Sequence, residues 1–468
     1  MERDPRIEPF VEVMERDGLP EAAIRSFVFH LDRFFRGERG LLREAEIDPV
    51  EALPDMEALP QPGAAAREAL QRTAVLKLNG GLGTSMGLDR AKSLLPVRAG
   101  RSFLDLIARQ VLALRERAGL PVPLLLMNSF RTEADSLEAL SAWPGLAAGD
   151  LPLSFLQNRV PRILEEDLSP APLRFPGDGA WCPPGHGDLY TALGTTGLLD
   201  RLLGEGFEYA FVSNADNLGA VLEPVILGHL VETGATFLME AADRTPADRK
   251  GGHLCRLPDG RLALRETAQV APGEEETFQD VTRHRHFNTN NLWIHLPTLH
   301  RLLAEHGGFL PLDTIVNRKT LDPADPGSPR VIQLETAMGA AVSLFPGASA
   351  LRVPRSRFSP VKTTADLLAV RSDAYRLTED GRVVLDPRRE APPRVELDPR
   401  FYRLLARFEE RFPHGPPSLL WCTSFRVEGN VFFGPRVTAR GRAEVLAGEE
   451  PASVPAGTVL EGTLRLSG

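Results

Sequence analysis

Residues Val75–Val97 have the sequence VLKLNGGLGTSMGLDRAKSLLPV, and this stretch decides the fold class. An apolar, strand-like run ends at Leu78, and a glycine-rich loop follows it before the cation Lys92. Glycines allow backbone N–H groups to approach phosphate oxygens closely, and a lysine side chain adds a positive charge beside them. The segment therefore predicts a strand followed by a loop that binds the phosphates of a nucleotide.

The glycine spacing excludes the two commonest phosphate-binding loops. A Walker loop has a second glycine five residues after the first, but Met86 stands at that offset from Gly81. The dinucleotide fingerprint G-x-G-x-x-G also fails, because Gly81 and Gly83 are followed by Gly87, one residue too late. A tight strand–helix turn without a ligand is the alternative, and the density of glycine disfavours it.

The length and composition of the chain indicate a soluble enzyme of several domains. The 468 residues exceed one ordinary hydrophobic core, so two or three domains are expected. The 54 basic and 63 acidic residues give a net charge of −9, which argues against a nucleic-acid partner because such a partner needs a basic face. A small polyphosphate needs only a few local cations and remains compatible with this charge.

The termini and cysteines favour a cytoplasmic protein without a membrane partner. The N-terminal sequence MERDPRIEPF carries charges where a signal peptide has an apolar core. No apolar run approaches the roughly 20 residues of a membrane helix. The three cysteines, Cys182, Cys255 and Cys422, are far apart and form no CxxC pair, which argues against zinc and disulfide frameworks.

Short apolar runs alternate with helical patterns from Ala74 onward, which predicts an α/β domain with a largely parallel sheet. In such sheets, ligands bind at the carboxyl ends of the strands. The predicted strands are Ala74–Leu78, Val122–Met127, Leu153–Leu156, Tyr209–Ser213, Ala235–Ala241 and Asn291–His295. The predicted helices are Ala22–Phe35, Phe103–Ala118, Gly187–Leu203 and Leu222–Glu232.

The C-terminal part has a different pattern. Apolar residues recur every six positions at Val454, Leu460 and Leu466, and again at Val431 and Val437. Such a period, with glycines between, is typical of the coils of a parallel β-helix. An irregular β-hairpin tail is the alternative.

The segment Tyr209–Ala220, YAFVSNADNLGA, predicts a magnesium ligand. An apolar strand ends at Ser213, and Asp216 follows at its carboxyl end. Mg²⁺ prefers oxygen ligands and usually takes one or two carboxylates together with substrate phosphates. The alternative is an Asx-rich turn that caps the next helix.

Four further motifs have the same order in a known family: FLQNRVPRI at Phe155–Ile163, WCPPGHGDLY at Trp181–Tyr190, FNTNNLWI at Phe287–Ile294 and RSRFSPVK at Arg355–Lys362. Together with LNGGLGTSMG, they closely resemble the UDP-sugar pyrophosphorylases, and best of all the UTP–glucose-1-phosphate uridylyltransferases. The resemblance covers most of Val75–Tyr375. It implies the Mg²⁺-dependent transfer of uridylyl from UTP to glucose 1-phosphate, which gives UDP-glucose and pyrophosphate.

The resemblance also implies the fold. A Rossmann-like nucleotidyltransferase domain, with a mixed, mainly parallel sheet and helices on both faces, would span residues 61–375. A C-terminal left-handed parallel β-helix would span residues 376–468, and an N-terminal helical segment residues 1–60. The β-helix is a plausible surface for homo-oligomer formation.

The family motifs imply the residues that bind the nucleotide. Lys362 and Lys92 are the expected catalytic residues, Gln157 corresponds to the glutamine that recognises uracil, and Asp216 is the expected metal ligand. The full set is Leu78, Asn79, Gly80, Gly81, Lys92, Gln157, Gly185, Asn214, Ala215, Asp216 and Lys362.

A second set is implied for the sugar phosphate. It consists of His186, Asn288, Asn290, Glu335 and Lys250. Without the resemblance, the asparagines would be interpreted as a turn and the glutamate as a surface charge. One departure stands beside the nucleotide loop, since the chain has Arg90-Ala91 where the family usually has Gly-Pro.

Three other functions compete with this prediction. A UDP-N-acetylhexosamine or broad UDP-sugar pyrophosphorylase shares the loop, but the exact residues of the motifs favour the glucose enzymes. A glycosyltransferase would usually show an Asp-x-Asp motif, which Asn214-Ala215-Asp216 is not. A non-enzymatic UDP-sugar-binding regulator would not need to keep Lys92, Asp216 and Lys362 together.

Overall fold

The structure is a computed structural model that describes residues 4–38, 40–172, 179–245, 248–249, 251–322 and 327–466. Its α-helices are α1 (Glu8–Arg16), α2 (Glu21–Phe35), α3 (Ala64–Gln71), α4 (Phe103–Ala118), α5 (Glu133–Leu140), α6 (Leu189–Thr195), α7 (Leu198–Gly204), α8 (Pro224–Thr233), α9 (Glu275–Gln279), α10 (Leu296–Glu305), α11 (Thr364–Arg371), α12 (Pro399–Tyr402) and α13 (Leu405–Arg411).

The strands are β1 (Asp48–Pro49), β2 (Thr73–Leu78), β3 (Pro96–Arg98), β4 (Arg101–Ser102), β5 (Leu124–Asn128), β6 (Ser154–Leu156), β7 (Val160–Pro161), β8 (Ile163–Leu164), β9 (Trp181–Cys182), β10 (Tyr209–Asn214), β11 (Phe237–Asp243), β12 (His253–Arg256), β13 (Leu262–Arg265), β14 (His286–His295), β15 (Thr314–Thr320), β16 (Arg330–Thr336), β17 (Ser349–Arg352), β18 (Tyr375–Leu377), β19 (Val383–Leu385), β20 (Arg394–Leu397), β21 (Ser418–Glu428), β22 (Val431–Phe433), β23 (Thr438–Leu446), β24 (Ala452–Val454) and β25 (Val459–Arg465).

A ten-stranded mixed sheet forms the centre of the fold, with the order β1-β12-β14-β10-β2-β5-β6 along its main path. The run β10-β2-β5-β6 is parallel, whereas β14 pairs antiparallel with β10, β11 and β12. The parallel run places the carboxyl ends of β2, β5, β6 and β10 at one edge. The loops that follow these strands therefore meet there.

Helices cover both faces of this sheet. All six residues of β2 are buried, and alternate side chains enter opposite hydrophobic clusters. Val75 packs in the cluster that includes apolar residues of α4 and α8, whereas Leu76 packs in the one that includes residues of α6, α7 and α10. A strand buried on both faces is mostly apolar and does not alternate apolar with polar residues, which explains the sequence TAVLKL. The predicted mixed α/β domain with a parallel core is confirmed.

One predicted helix is wrong. The segment Gly187–Leu203 forms two short helices, α6 and α7, separated at Gly197. Gly197 adopts a φ of 70°, and this left-handed conformation interrupts the helical path. The predicted helices at α2, α4 and α8 and the six predicted strands are present with shifts at their ends, the largest at β14, which begins at His286.

The N-terminal helices α1 and α2 pack against strands β9 and β16. Phe10, Phe27 and Leu31 share a hydrophobic cluster with Trp181 and Leu334. The connection after α2 is held by Glu44, whose carboxylate accepts hydrogen bonds from Arg265 at 2.6 Å, Arg283 at 2.7 Å and His284 at 3.0 Å.

The C-terminal strands pair in parallel. The four-stranded sheet β20-β21-β23-β25 is parallel throughout, and β22 pairs in parallel with β24. Four of the five residues of the six-residue period lie inside this stack, since Val431, Val437, Val454 and Leu460 are all at most 3% exposed. The fifth, Leu466, is only partly buried. No helix among the described residues has the length and apolar character needed to cross a membrane.

Candidate active site

The glycine-rich loop begins where β2 ends, and its first side chain anchors it to the sheet. Asn79 is buried, and its amide donates to Asn128 Oδ1 at 2.7 Å and to Ser136 Oγ at 2.8 Å. The loop closes on itself, because Lys92 N donates to Gly81 O at 3.0 Å. It is also joined to β10, since Ala215 N donates to Leu78 O at 3.0 Å. Asn79 therefore supports the loop with its side chain.

Gly80 and Gln157 are in direct contact. A Cβ atom added to Gly80 would lie 2.6 Å from Gln157 Nε2, so a larger residue at position 80 would displace this amide from its present position. The backbone N of Gln157 donates to Asn128 O at 2.8 Å, which fixes the residue just beyond β6. The predicted base-recognition residue and the predicted phosphate loop are thus adjacent.

Lys92 and Asp216 meet across the same edge of the sheet, although 124 residues separate them in the chain. Lys92 Nζ lies 2.6 Å from Asp216 Oδ2, and both side chains are mostly buried. An ion pair in such partly buried surroundings is screened less than a surface pair. The Asp216 carboxylate therefore stabilises the positive charge of Lys92 at this edge of the sheet.

The loop that carries His186 packs against the end of β16. Gly185 has a φ of +84°, and a Cβ there would lie 2.5 Å from Thr336 O. His186 Nδ1 accepts a hydrogen bond from Met338 N at 3.1 Å. Burial lowers the pKa of His186 to about 4. The imidazole is therefore neutral at pH 7 with its proton on Nε2, and it can donate a hydrogen bond from that atom.

Lys362 is positioned by a loop that packs against Asp216. Val361 N donates to Asp216 O at 3.3 Å, and Lys362 is the next residue. Burial lowers the pKa of His186 and raises that of Glu266, and the Lys362 cation is close enough to lower both pKa values. The side chain of Lys362 is exposed. Its effect on the pKa of His186 places its charge near that imidazole.

A buried ion pair holds this loop to the sheet. Arg357 Nε and Nη2 each donate to a different carboxylate oxygen of Glu240, both at 2.6 Å. Trp293 Nε1 and Asn291 Nδ2 donate to the same carboxylate at 3.0 and 2.9 Å. Glu240 is fully buried. A buried carboxylate with four such donors is satisfied, and it fixes the loop in one orientation.

Asn217 extends the network to the residue beside Asp216. Its amide donates to Asn291 Oδ1 at 3.2 Å and to Arg357 O at 3.0 Å, and its Oδ1 accepts from Ser359 N at 3.0 Å. The positions of Asp216 and of the loop that bears Lys362 are therefore linked through one amide.

Lys77 joins β2 to β10 from within the sheet. Its ammonium donates to Ser213 Oγ and to Ala220 O, each at 2.6 Å. Burial and, to a smaller extent, the Arg357 charge lower the pKa of Lys77 to about 7. This lysine therefore supports the strand ends and does not reach the ligand cavity.

The loops at this edge surround a cavity of about 1490 Å³. Most predicted site residues line it, namely Leu78, Asn79, Gly80, Gly81, Lys92, Gln157, Gly185, His186, Asn214, Ala215, Asp216 and Glu335. Lys362, Asn288 and Asn290 are not in its lining. Lys250 lies outside the described residues.

The two predicted asparagines of β14 bond to each other. Asn288 Nδ2 donates to Asn290 Oδ1 at 2.8 Å, and Asn290 N donates to Asn288 Oδ1 at 2.8 Å. Asn290 has a φ of 59°, so the strand kinks at this point. A Cβ on Gly339 would lie 2.5 Å from Asn288 Nδ2, which places this asparagine against the block that follows Glu335.

Three cations in the cavity wall lie outside the quoted motifs and are missed by sequence reasoning, namely Arg131, Lys319 and Arg403. A fourth, Arg162, lies within FLQNRVPRI, but the sequence assigns it no role. Lys319 donates to Gln333 Oε1 at 2.9 Å and to Glu335 Oε1 at 3.1 Å. These contacts depend on the hairpin of β15 and β16, whose register the sequence does not display.

Comparisons with known proteins assign the family. The family profile described as UTP–glucose-1-phosphate uridylyltransferase matches residues 25–440. The chain belongs to this family. The enzyme of that name from Saccharomyces cerevisiae is 43% identical over 399 residues, which cover 84% of this chain and 78% of the yeast protein. The one from Solanum tuberosum is 43% identical over 388 residues, covering 82% and 79%.

Solved structures agree with this assignment to the UTP–glucose-1-phosphate uridylyltransferase family. UDP-glucose pyrophosphorylase from Leishmania major has a TM-score of 0.93 at 42% identity, with 99% of this chain and 100% of that chain covered. The Trypanosoma brucei protein has a TM-score of 0.92 at 42% identity, with 99% and 100% covered. The resemblance seen in the sequence is thereby confirmed.

The Glu240–Arg357 pair yields a stability prediction. We expect Glu240→Gln to lower the free energy of unfolding by about 3–5 kcal/mol, because breaking a buried pair leaves the Arg357 charge uncompensated. Urea denaturation measures the loss. The matched control is Glu305→Gln, which breaks an exposed pair with Arg301 and should cost no more than about 1 kcal/mol. Equal losses in the two variants would contradict the role of the buried pair.

Proposed function

We propose that this protein transfers the uridylyl group of UTP to glucose 1-phosphate, and that it forms UDP-glucose and pyrophosphate. One observation carries the proposal: in a member of this family, the glycine-rich loop, Gln157, His186 and the Lys92–Asp216 pair line a single cavity. The reaction is reversible, because one phosphoanhydride bond of UTP is exchanged for another in UDP-glucose.

The chemistry is an in-line displacement at phosphorus. A phosphate oxygen of glucose 1-phosphate attacks the α-phosphorus of UTP, and the bond to the oxygen that bridges the α- and β-phosphates breaks. The second pKa of a sugar phosphate is about 6, so the nucleophile is largely ionised at neutral pH and needs no general base. The protein therefore contributes by positioning the reactants and neutralising charge.

The nucleotide is held at the β2 and β6 edge. Gly80 and Gly81 line the cavity, and neither has a side chain of its own that would block phosphate oxygens. Lys92 supplies a cation for the triphosphate. Gln157 offers both a donor and an acceptor, which match the N–H and carbonyl groups of uracil.

The sugar phosphate is held on the opposite wall. His186 donates from Nε2, since Met338 N occupies its other nitrogen. Glu335, Asn288, Asn290 and Lys250 are the proposed partners of the hexose and its phosphate. The support for Glu335 is its place in the cavity wall, and the support for the asparagines is their packing beside Gly339.

Lys362 is the proposed catalytic lysine. A lysine is a compact point charge and suits the charge that spreads over the α-phosphate oxygens. Its loop is fixed through Val361 to Asp216, and its charge reaches the region of His186. Both contacts support a position between the two substrates.

Mg²⁺ is the proposed cofactor, and Asp216 is its proposed ligand. Among the residues that the structure describes, no group of three or more His, Cys, Asp and Glu side chains could hold a metal ion. A single carboxylate nevertheless suits magnesium, which takes its remaining ligands from phosphates and water. The ion pair that Asp216 forms with Lys92 supports a site where this carboxylate accepts a cation. When bound, Mg²⁺ neutralises charge on the reacting phosphates.

We extend the proposal to the organisation of the chain. Residues 1–60, 61–375 and 376–468 form the N-terminal, catalytic and C-terminal parts, and the parallel C-terminal strands are proposed to form a left-handed β-helix. Trp421 and Val459 on this part are 54% and 55% exposed, which supports its use in a homo-oligomer. Three buried, unpaired cysteines support a cytoplasmic location.

A coupled assay tests the function. The protein is incubated with UTP and Mg²⁺ and, in separate reactions, with glucose, galactose or N-acetylglucosamine 1-phosphate, and the release of pyrophosphate is followed. We expect the highest kcat/KM with glucose 1-phosphate. Preferred turnover of another sugar would change the assigned substrate, and no release with any sugar would overturn the proposal.

The role of Lys362 is tested by substitution. We expect Lys362→Ala to lower kcat by roughly 100-fold or more, as is usual when a charge-stabilising donor is removed from a transition state, with little change in the KM for UTP. Arg376→Ala, which removes an exposed cation after α11, is the control and should retain activity. Near-normal turnover of the Lys362 variant would remove this lysine from the mechanism.

The Lys92–Asp216 pair is tested by metal binding without substrates. We expect Lys92→Met to increase the affinity for Mn²⁺, used as a spectroscopic substitute for Mg²⁺, because the carboxylate then lacks its internal cation. Titration followed by electron paramagnetic resonance measures the dissociation constant. Asp216→Asn in the same background should abolish the gain, and a gain that survives would exclude Asp216 as the ligand.

A further inference from the structure

Asp188 is a buried acid that the proposed reaction does not use. It follows His186 by two residues, at the end of the short helical turn His186–Asp188 that precedes α6. The residue is only 5% exposed. Among the described residues, no lysine or arginine forms an ion pair with it. A buried carboxylate without a cation is costly, so its presence calls for a compensating contact.

Asn158 makes that contact through two different groups. Its backbone N donates to Asp188 Oδ2 at 2.6 Å. Its side-chain Nδ2 donates to Oδ1 at 2.9 Å and to Oδ2 at 3.2 Å. Two donors on one residue, bound to one carboxylate, fix both the position and the orientation of that residue.

The Asp188–Asn158 contact joins the two chain segments that carry Gln157 and His186. Asn158 directly follows Gln157, whose own backbone N is bound to Asn128 O on the other side. Gln157 is therefore fixed at both flanks. Asp188 lies in the same turn as His186, whose ring is fixed by Met338 N. The Asp188 carboxylate thus links the segment that bears Gln157 to the turn that bears His186, and both residues line the same cavity.

The rear of this contact is closed by the N-terminal part of the chain. A cavity of about 20 Å³ lies behind Asp188 and Asn158, and His30 and Phe27 of α2 line it together with Thr191. Burial raises the pKa of Asp188 to about 7, although the hydrogen bonds from Asn158 oppose this rise. Helix α2 therefore helps to shield the Asp188–Asn158 contact from bulk water.

We propose that Asp188 is a positioning residue that holds Gln157 and His186 in register through Asn158. Substrate discrimination at the base and affinity for the sugar phosphate are thereby coupled. This inference rests on the proposed function, because it assigns a uracil contact to Gln157 and a sugar-phosphate contact to His186.

The proposal is tested first by a single substitution of Asn158 and then by an exchange of the Asn158 and Asp188 side chains. Asn158→Asp places two carboxylates against each other, and it should raise the KM for UTP and for glucose 1-phosphate by about tenfold or more each, equivalent to about 1.4 kcal/mol for each ligand. It should also reduce the preference for UTP over CTP. The double variant Asp188→Asn/Asn158→Asp again presents one amide to one carboxylate, and we expect it to restore both KM values and the preference.

Two controls separate positioning from stability. Asn430→Asp makes the same change in the C-terminal part, and it should leave the KM for UTP, the KM for glucose 1-phosphate and the preference for UTP over CTP unaltered. Thermal unfolding is measured for every variant. A lower melting temperature of Asn158→Asp with unchanged KM values and an unchanged preference for UTP would overturn the proposal, as would failure of the exchanged pair to restore them.

A second variant keeps the test decisive if Asn158→Asp does not fold. Asp188→Asn retains the shape of the side chain and removes its charge, and it should raise both KM values in the same direction. Unchanged values would also overturn the proposal. Absence of pyrophosphate release by the unmodified protein would instead contradict the proposed function, so the two failures are distinguishable.

Discussion

Glu240 and Arg357 are separated by 117 residues in the chain, and their side chains meet inside the protein as a bidentate ion pair. A buried pair of this kind adds little net stability, because desolvation of the two charges offsets much of their attraction. Its effect is geometric. The loop after Arg357 can lie in only one way against the sheet, and Asn217 transmits that position to the strand end that bears Asp216. The charged groups at the cavity edge are placed by this buried network.

The order of the central sheet explains why distant motifs converge. Strands β2 and β10 are parallel neighbours, so the loops after them begin at the same edge although they are far apart in sequence. β5 and β6 continue the same run and bring Gln157 to Gly80. The motif FNTNNLWI forms most of β14, and the other motifs lie at strand ends or in the loops beside them. The cavity therefore results from strand order, and loop sequence then determines its chemistry.

Much of this arrangement can be predicted from the sequence, because the informative positions carry local signals. The glycine spacing after Leu78 and the polar residues after Ser213 both mark strand ends, and the family resemblance supplies the roles predicted for them. The break at Gly197 is less visible, since a glycine within a helical pattern is often tolerated. The structural roles of Glu240, Lys77 and Asp188 carry no local signal, although Lys77 and Asp188 stand within quoted motifs. Their importance depends on partners that lie on other strands or loops, and only the tertiary structure shows those partners.

The contact between Gly80 and Gln157 has a consequence for protein engineering. The amide fills the space in which any larger residue at position 80 would place its Cβ atom. A library that varies the glycine-rich loop at this position would therefore displace the Gln157 side chain as well. Conversely, a smaller residue at position 157 would free volume beside the loop and admit larger side chains at position 80 without that displacement. Positions 80 and 157 form one joint design variable in this scaffold.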